Sequence, residues 1–500
     1  MLKIEGFMKK FLKITLSLCL AFVTVFSFTA CKKKVSDTTV NLDKVASTNG
    51  VSTNGGMTVV YDGYLYFING TKTNDGTSLD DNKQSAICRV KYNNGKIDDS
   101  TYEVVVDDLV GFNKGSLHFF GDFMYYATPC DDVNNKATVL YNKTTFKRYD
   151  LVNKKSHDIY TTVLNDEKEA LSYAYYVVGD SLNLVVYETN NKTITSLKIG
   201  KKVETNYVIS GVASCILSEN YGKVVTSGAK TDANNFVFYT KAHEGADKDS
   251  VQTGNKVYKT SPVSNNSSLI CDNGKSISLL SIRNGKLVYA CETKLYAQTI
   301  TSTANEKLNL SATNVIDHNY KSDSSYLFIE NTDGSISVLY YDSTAYNLNI
   351  ITWKNGSFEP VTIQEFTKDD KFEFISTVTL TETEEAEGDE EPESHEVTYL
   401  IYINTKKLYK IEIALDGKYS ESVFAEPIKL TETEVISASG LLVPEVIGDY
   451  IYIFANNDNS KAYIHRTDIT IDVNASELEE KEDQKAKFIG IQEEEDKEKK

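Results

Sequence analysis

Carboxylates are the reactive groups this chain holds in greatest number, with 71 Asp and Glu against 53 Lys and Arg. Two of them held about 5–9 Å apart would suffice for glycoside cleavage, one as acid and the other as base or nucleophile. The adjacent pairs Asp107-Asp108 and Asp131-Asp132 do not supply that geometry, because neighbours on a strand point to opposite faces. Hard oxygens suited to calcium gather in Asp131-Asp132-Val133-Asn134-Asn135, in Asp247-Lys248-Asp249 and in the acidic segment 382–396. None follows the twelve-residue calcium-loop pattern, and solvated turns are the simpler account of all three. The six histidines, His118, His157, His243, His318, His395 and His465, stand apart from one another. No His-Glu-x-x-His or Cys-x-x-Cys brings transition-metal ligands together, and neither a Gly-x-Ser-x-Gly elbow nor a glycine-rich phosphate loop occurs. The sequence therefore assigns no catalytic, metal or ligand-binding residue. No cofactor is expected, and calcium is the one ion for which it offers ligands.

The cysteines say more. Cys31 follows Phe28-Thr29-Ala30, which ends a largely apolar run from Ile14 to Phe28 behind Lys9, Lys10 and Lys13. That run is too short for a permanent bilayer span but suits a secretory segment. The stretch resembles a bacterial lipoprotein signal. Confined to the first 31 residues, the resemblance implies that residues 1–30 are removed and that the Cys31 thiol carries lipid. The chain would then sit at the extracytoplasmic face of a bacterial cell membrane, held by that lipid. An uncleaved anchor helix is the alternative, disfavoured by the short run and its small-residue end. Met8-Lys9-Lys10-Phe11 opens a compact signal by itself, whereas the preceding residues add Glu5, so translation from Met8 is expected. With Cys19 in the signal, Cys88, Cys130, Cys215, Cys271 and Cys291 remain. An odd, scattered set gives no disulfide framework; these read as small apolar residues within strands, with a Cys271–Cys291 bridge left open.

A net charge of −18 argues against nucleic acid or anionic lipid headgroups as the main partner. Residues 31–56 are polar and rich in Ser, Thr, Asn and Gly, a flexible tether with a span of about 25–30 Å. The aromatic content, 32 Tyr and 21 Phe but one Trp (Trp353), favours strands whose rings are half buried.

The elements beyond the tether repeat. A Gly, Asp or Asn turn leads into a short Tyr-rich apolar strand at Asp62-Gly63-Tyr64-Leu65-Tyr66-Phe67, Gly121-Asp122-Phe123-Met124-Tyr125-Tyr126, Gly179 to Tyr187 and Gly448-Asp449-Tyr450-Ile451-Tyr452. Weaker copies lie at Asn235–Tyr239, Asn284–Tyr289, Ser325–Ile329 and Tyr399–Ile403. A second phrase follows, in most cases a strand with a basic residue near its end, as in Ile87-Cys88-Arg89-Val90, Val257-Tyr258-Lys259-Thr260, Leu408-Tyr409-Lys410-Ile411 and Tyr463-Ile464-His465-Arg466; Leu295-Tyr296-Ala297 is looser. The first-phrase strands are apolar on both faces and so must be covered on both, as blades stacked in a ring are. Long segments with helical period are missing. The chain is therefore read as all-β, a β-propeller of seven or eight blades over residues 57–475, with the segment near Met57 to Tyr61 beside the last blade. The acidic stretch 382–396 is a long hairpin loop within one blade. Residues 476–500 form a charged tail with a last strand near 487–491.

The two phrases together resemble the repeat of bacterial lipoprotein propellers akin to the low-density-lipoprotein-receptor propeller. No Tyr-Trp-Thr-Asp box is present, so the ligand behaviour of the animal receptors does not carry over. Function is read as a membrane-anchored, non-catalytic binding or scaffolding module for protein or glycan. The alternative is a carboxylate-dependent glycan hydrolase or lyase, and a third reading docks the acidic loop onto a cationic partner. Tyr64, Tyr66, Tyr125, Tyr126, Tyr450 and Tyr452 are read as packing between blades rather than as an exposed ligand platform.

Overall fold

The computed structural model describes residues 55–70, 84–110, 115–129, 143–163, 171–200, 202–217, 224–225, 233–243, 254–283, 285–303, 306–311, 314–317, 319–331, 333–354, 357–383, 394–414, 426–431, 433–436, 444–456, 462–470 and 487–489. They form eight sheets, the blades of a propeller ring, antiparallel but for one short added strand in blade 3. Blades 1 to 8 span residues 58–106, 118–163, 171–210, 214–271, 277–317, 325–365, 372–429 and 445–488. Among the described residues there is no α-helix, only a short 3-10 turn at Ala233–Asn235. The first strands of blades 4 to 8 adjoin one another in succession, which puts the first strand of each blade at the inner edge. Of the fourth strands, Val203–Ser210 is mostly exposed, and Lys96–Val106 is exposed or half exposed at every residue but the last.

The Tyr-rich phrase is the second strand in seven blades, including Tyr64–Ile68, Phe123–Thr128, Ser181–Glu188 and Tyr450–Asn456. Blade 6 departs from the sequence reading: Ser325–Glu330 is its first strand, and the second is Ile336–Asp342. Both are apolar and Tyr-bearing, so composition alone does not separate them. The turn Asp62-Gly63 has φ of 51° and 77°, and Asn94-Gly95 has 47° and 84°. Two successive positive values suit the tight hairpin whose twist matches its strands, and Asp-Gly and Asn-Gly adopt them at low cost. Asp272-Asn273-Gly274 links blade 4 to blade 5. Gly254 lies so close that a Cβ there would sit 2.5 Å from the Gly274 carbonyl carbon.

Strands apolar on both faces are indeed covered on both. The tilted rings of Tyr66 and Phe119 meet at 4.8 Å between blades 1 and 2, Phe146 and Tyr173 meet edge to face at 4.8 Å between blades 2 and 3, and Tyr341 stacks on Phe372 at 4.7 Å between blades 6 and 7. The basic residue of the second phrase lies on the third strand, and in several blades it reaches the third-to-fourth connection of the next blade. Arg148 donates to the Gly200 carbonyl, Lys259 to Thr301 and Thr303, Lys410 to Ile469, and Arg466 to Gly95. In blade 3 the small Ser196 takes this place, its Oγ donating to the Pro262 carbonyl. These cations thus satisfy carbonyls that a turn leaves unpaired, and they fix the angle between blades.

Each of blades 1 and 8 is built from its own consecutive strands, so no described strand is exchanged across the closing seam. One apolar cluster instead runs through it, joining Met57, Val59, Leu65 and Phe67 to Ile447, Tyr452, Phe454 and Ile489. The last strand, Lys487–Phe488, pairs with Ala462–Asp468 as the outer edge of blade 8. In blade 7 the hairpin pairs from Phe372↔Asn404 to Thr383↔Ser394 with one register shift between Phe374 and Ser376, and the heart of the acidic stretch, 384–393, lies outside the described residues.

Candidate functional site

Antiparallel order gives the ring two ends. One carries the first-to-second and third-to-fourth turns; here it is called the turn end. The other carries the blade-to-blade links, and there the chain enters at Gly55, whose N–H donates to the Leu117 carbonyl at 2.7 Å.

The inner side is described through the first strands of the blades. Of the acidic residues on the described first strands, Glu330 and Glu373 are exposed, Glu382 accepts from the Tyr399 hydroxyl, and Glu445 is buried. Glu445 is engaged: its Oε2 accepts from the Thr58 N–H at 2.7 Å and the Thr58 hydroxyl at 2.5 Å, with a further bond from the Met57 backbone. Burial pushes its carboxyl up to about 8, against the pull of those donors. On blade 2 the buried His118 ring sits 4.6 Å from Tyr175, and desolvation lowers its pKa to about 3, so it stays neutral. Beside it, the inner edge of blade 3 is extended: Val224–Val225 pairs in parallel with Val177 and Val178 as a fifth strand. Backbone thus occupies the channel side of blade 3.

The concavity lies at the turn end. A recess of about 360 Å³ is lined by Gly63 and Tyr64 from one hairpin of blade 1 and by Lys91, Tyr92, Asn93, Lys96, Ile97 and Asp98 from the other. Register places Tyr64 opposite Lys91 and Lys91 opposite Asp98, so an aromatic, a cation and a carboxylate share one row of the sheet. The Arg89 guanidinium lies 4.2 Å from the Tyr64 ring centroid and is itself held by Glu103, Nη2 donating to Oε2 at 2.7 Å. Tyr92 donates its N–H to the Gly63 carbonyl at 2.9 Å, which joins the two hairpins. Two half-exposed phenol rings with ammonium, amide and carboxylate groups around them suit a ligand with flat apolar faces and many hydroxyls.

The sequence-named residues distribute as follows. Cys31, the tether up to Asn54, Cys130, His318 and the calcium candidates 131–135 and 247–249 lie outside the described residues. Cys88, Cys215, Cys271 and Cys291 are free thiols, so the bridge left open between Cys271 and Cys291 is not formed. Burial raises the thiol pKa of each, that of Cys88 to about 12. Asp108 is bound by the Tyr126 hydroxyl at 2.6 Å and by Lys147 at 3.3 Å, and the same Lys147 lies 3.9 Å from Asp158. His157 and His395 are exposed, His465 is buried and His243 lies 3.3 Å from Asp272. No three His, Cys, Asp or Glu among the described residues gather as metal ligands. Tyr66, Tyr125, Tyr126 and Tyr452 pack in the interior, whereas Tyr64 and Tyr450 are half exposed. Sequence reasoning missed Tyr92 and Glu445; the pair Gly55-Gly56 ahead of the first strand was the one cue to the latter.

No protein-family model matches the chain, and no curated protein matches it. Solved structures do. An oligogalacturonate lyase from Vibrio parahaemolyticus is 8% identical, with 83% of this chain and 98% of that one covered at a TM-score of 0.35. The WD40 domain of SCAP from fission yeast is 8% identical over 81% of this chain and 89% of that one, at 0.38. A polysaccharide lyase described as an ulvan lyase is 9% identical over 84% and 96%, at 0.37.

Proposed function

We propose that this protein is a non-catalytic glycan-binding propeller, held at the extracytoplasmic face of a bacterial membrane by lipid on Cys31. The observation that carries the reading is the recess on blade 1, lined by Tyr64 and Tyr92 together with Lys91, Asn93, Lys96 and Asp98. Sugars stack their apolar faces on such rings while their hydroxyls bond to amide, ammonium and carboxylate. The chain enters the ring at the link end, and the recess lies at the turn end.

The test is a glycan array probed with the full-length protein and its Tyr64→Ala variant, followed by an assay for new reducing ends or unsaturated uronates on any glycan retained. Retention by the wild type, loss in the variant and no cleavage support the reading. Cleavage would overturn its non-catalytic half, and capture of protein ligands alone would overturn the glycan.

A further inference from the structure

We infer that Glu445 is the latch that closes the ring and that, through the seam it closes, it shapes the recess on blade 1; the second half rests on that recess being the site proposed above. A ring without an exchanged strand needs another way to join its first and last blades, and the seam carries a polar clasp at each end. At the link end Glu445, the first residue of blade 8, enters the backbone that begins blade 1. A Cβ on Gly56 would lie 1.2 Å from Glu445 Oε1, so the carboxyl occupies the space that any side chain at 56 would need. Thr58 supplies two hydrogen bonds and Met57 a third. The same segment is tied to blade 2, since Leu117 donates its N–H to the Gly56 carbonyl at 2.8 Å.

At the turn end Arg466 donates to the Gly95 carbonyl, and Gly95 belongs to the hairpin that lines the recess. Tyr450 stands between: the Arg466 guanidinium is 4.3 Å from its ring, and its Cε2 would be 3.9 Å from a Cβ on Gly95. The strand holding Glu445 pairs with the strand holding Tyr450, from Glu445↔Tyr452 to Ile447↔Tyr450. A displacement of the latch is therefore carried along one hairpin of blade 8 to the wall of the recess, and by linkage a ligand seated there favours the closed seam.

Hydrogen exchange on the full chain tests this without any ligand, so its outcome is separate from that of the glycan array. Glu445→Gln turns an amide NH2 toward backbone donors, and Gly56→Ala expels the carboxyl sterically. Each should speed exchange about tenfold or more at 57–61 and 92–97 while blades 4 to 6 keep their protection. The double variant should be no worse than either single one, because both remove the same contact. Glu445→Asp, which keeps a carboxyl but retracts it, should give a smaller change at the same two places and serves if the stronger variants fail to fold. Unchanged exchange would overturn the latch. Faster exchange at 57–61 alone would overturn its hold on the recess, and equal loss in all blades would make Glu445 an ordinary core residue.

Discussion

Arg466 reaches from the third strand of the last blade to Gly95 of the first, its Nη1 donating to the carbonyl at 3.3 Å while its guanidinium lies over the Tyr450 ring. The same contact recurs around the ring with Arg148 on Gly200 and Lys410 on Ile469. A buried charge bonded to a carbonyl is costly to orphan. Arg466→Leu should lower stability by about 1–3 kcal/mol, read as a shift of the denaturant midpoint, with blade 1 protection reduced first.

Lys259 and Glu306 form a buried pair at 2.6 Å, with side chains 3% and 10% exposed. Removing one charge leaves the other stranded, so Lys259→Met should cost about 3–5 kcal/mol. Adding Glu306→Gln to that variant should recover part of the loss, since no buried charge then remains. Thermal unfolding of the three proteins checks the order; a double variant weaker than Lys259→Met would refute it.

Glu445 gives the stability a pH dependence of definite sign. Its carboxyl binds a proton up to about 8 in the folded chain and up to 4.5 when exposed. Between those values the folded state holds more protons, so the stabilisation is complete below about pH 4.5 and is lost as pH rises through 8. Denaturant midpoints from pH 6 to 9 should fall more steeply for the wild type than for Glu445→Gln. Parallel curves would contradict this.

His465 works in the opposite sense. Burial lowers its pKa from 6.5 to about 4, so the unfolded chain binds the extra proton. Its contribution is complete above about pH 6.5 and declines as pH falls toward 4. Unfolding midpoints between pH 7 and 4.5 should drop less in His465→Gln than in the wild type.

Lipid on Cys31 predicts that the wild type takes up labelled fatty acid in a bacterial host and partitions with membranes. Cys31→Ser should do neither. Label retained in the variant would remove the anchor from the account.

The second strands were legible because Tyr64, Tyr66, Leu65 and Phe67 make both faces apolar, a demand only neighbouring sheets can meet. The third strands were legible through Arg89, Lys259, Lys410 and Arg466, although the carbonyls they reach belong in most cases to another blade and left no local trace. Fourth strands such as Val203–Ser210 have exposed, mixed residues and no period to read. The latch was hidden for a different reason: Glu445 and Thr58 are 387 positions apart, and nothing beside Glu445 marks a carboxyl whose partners lie at the other end of the chain. The recess was half visible, since Tyr64 stood in a recognised strand, whereas Tyr92 became notable only once its hairpin met Gly63.

The most direct test of the central claim is binding of the full-length protein to immobilised glycans, wild type beside Tyr64→Ala. The account predicts that at least one glycan is retained by the wild type and that the variant binds it about tenfold or more weakly, as loss of a stacking ring should cause. Equal binding by both proteins, or no glycan bound by either, would contradict it.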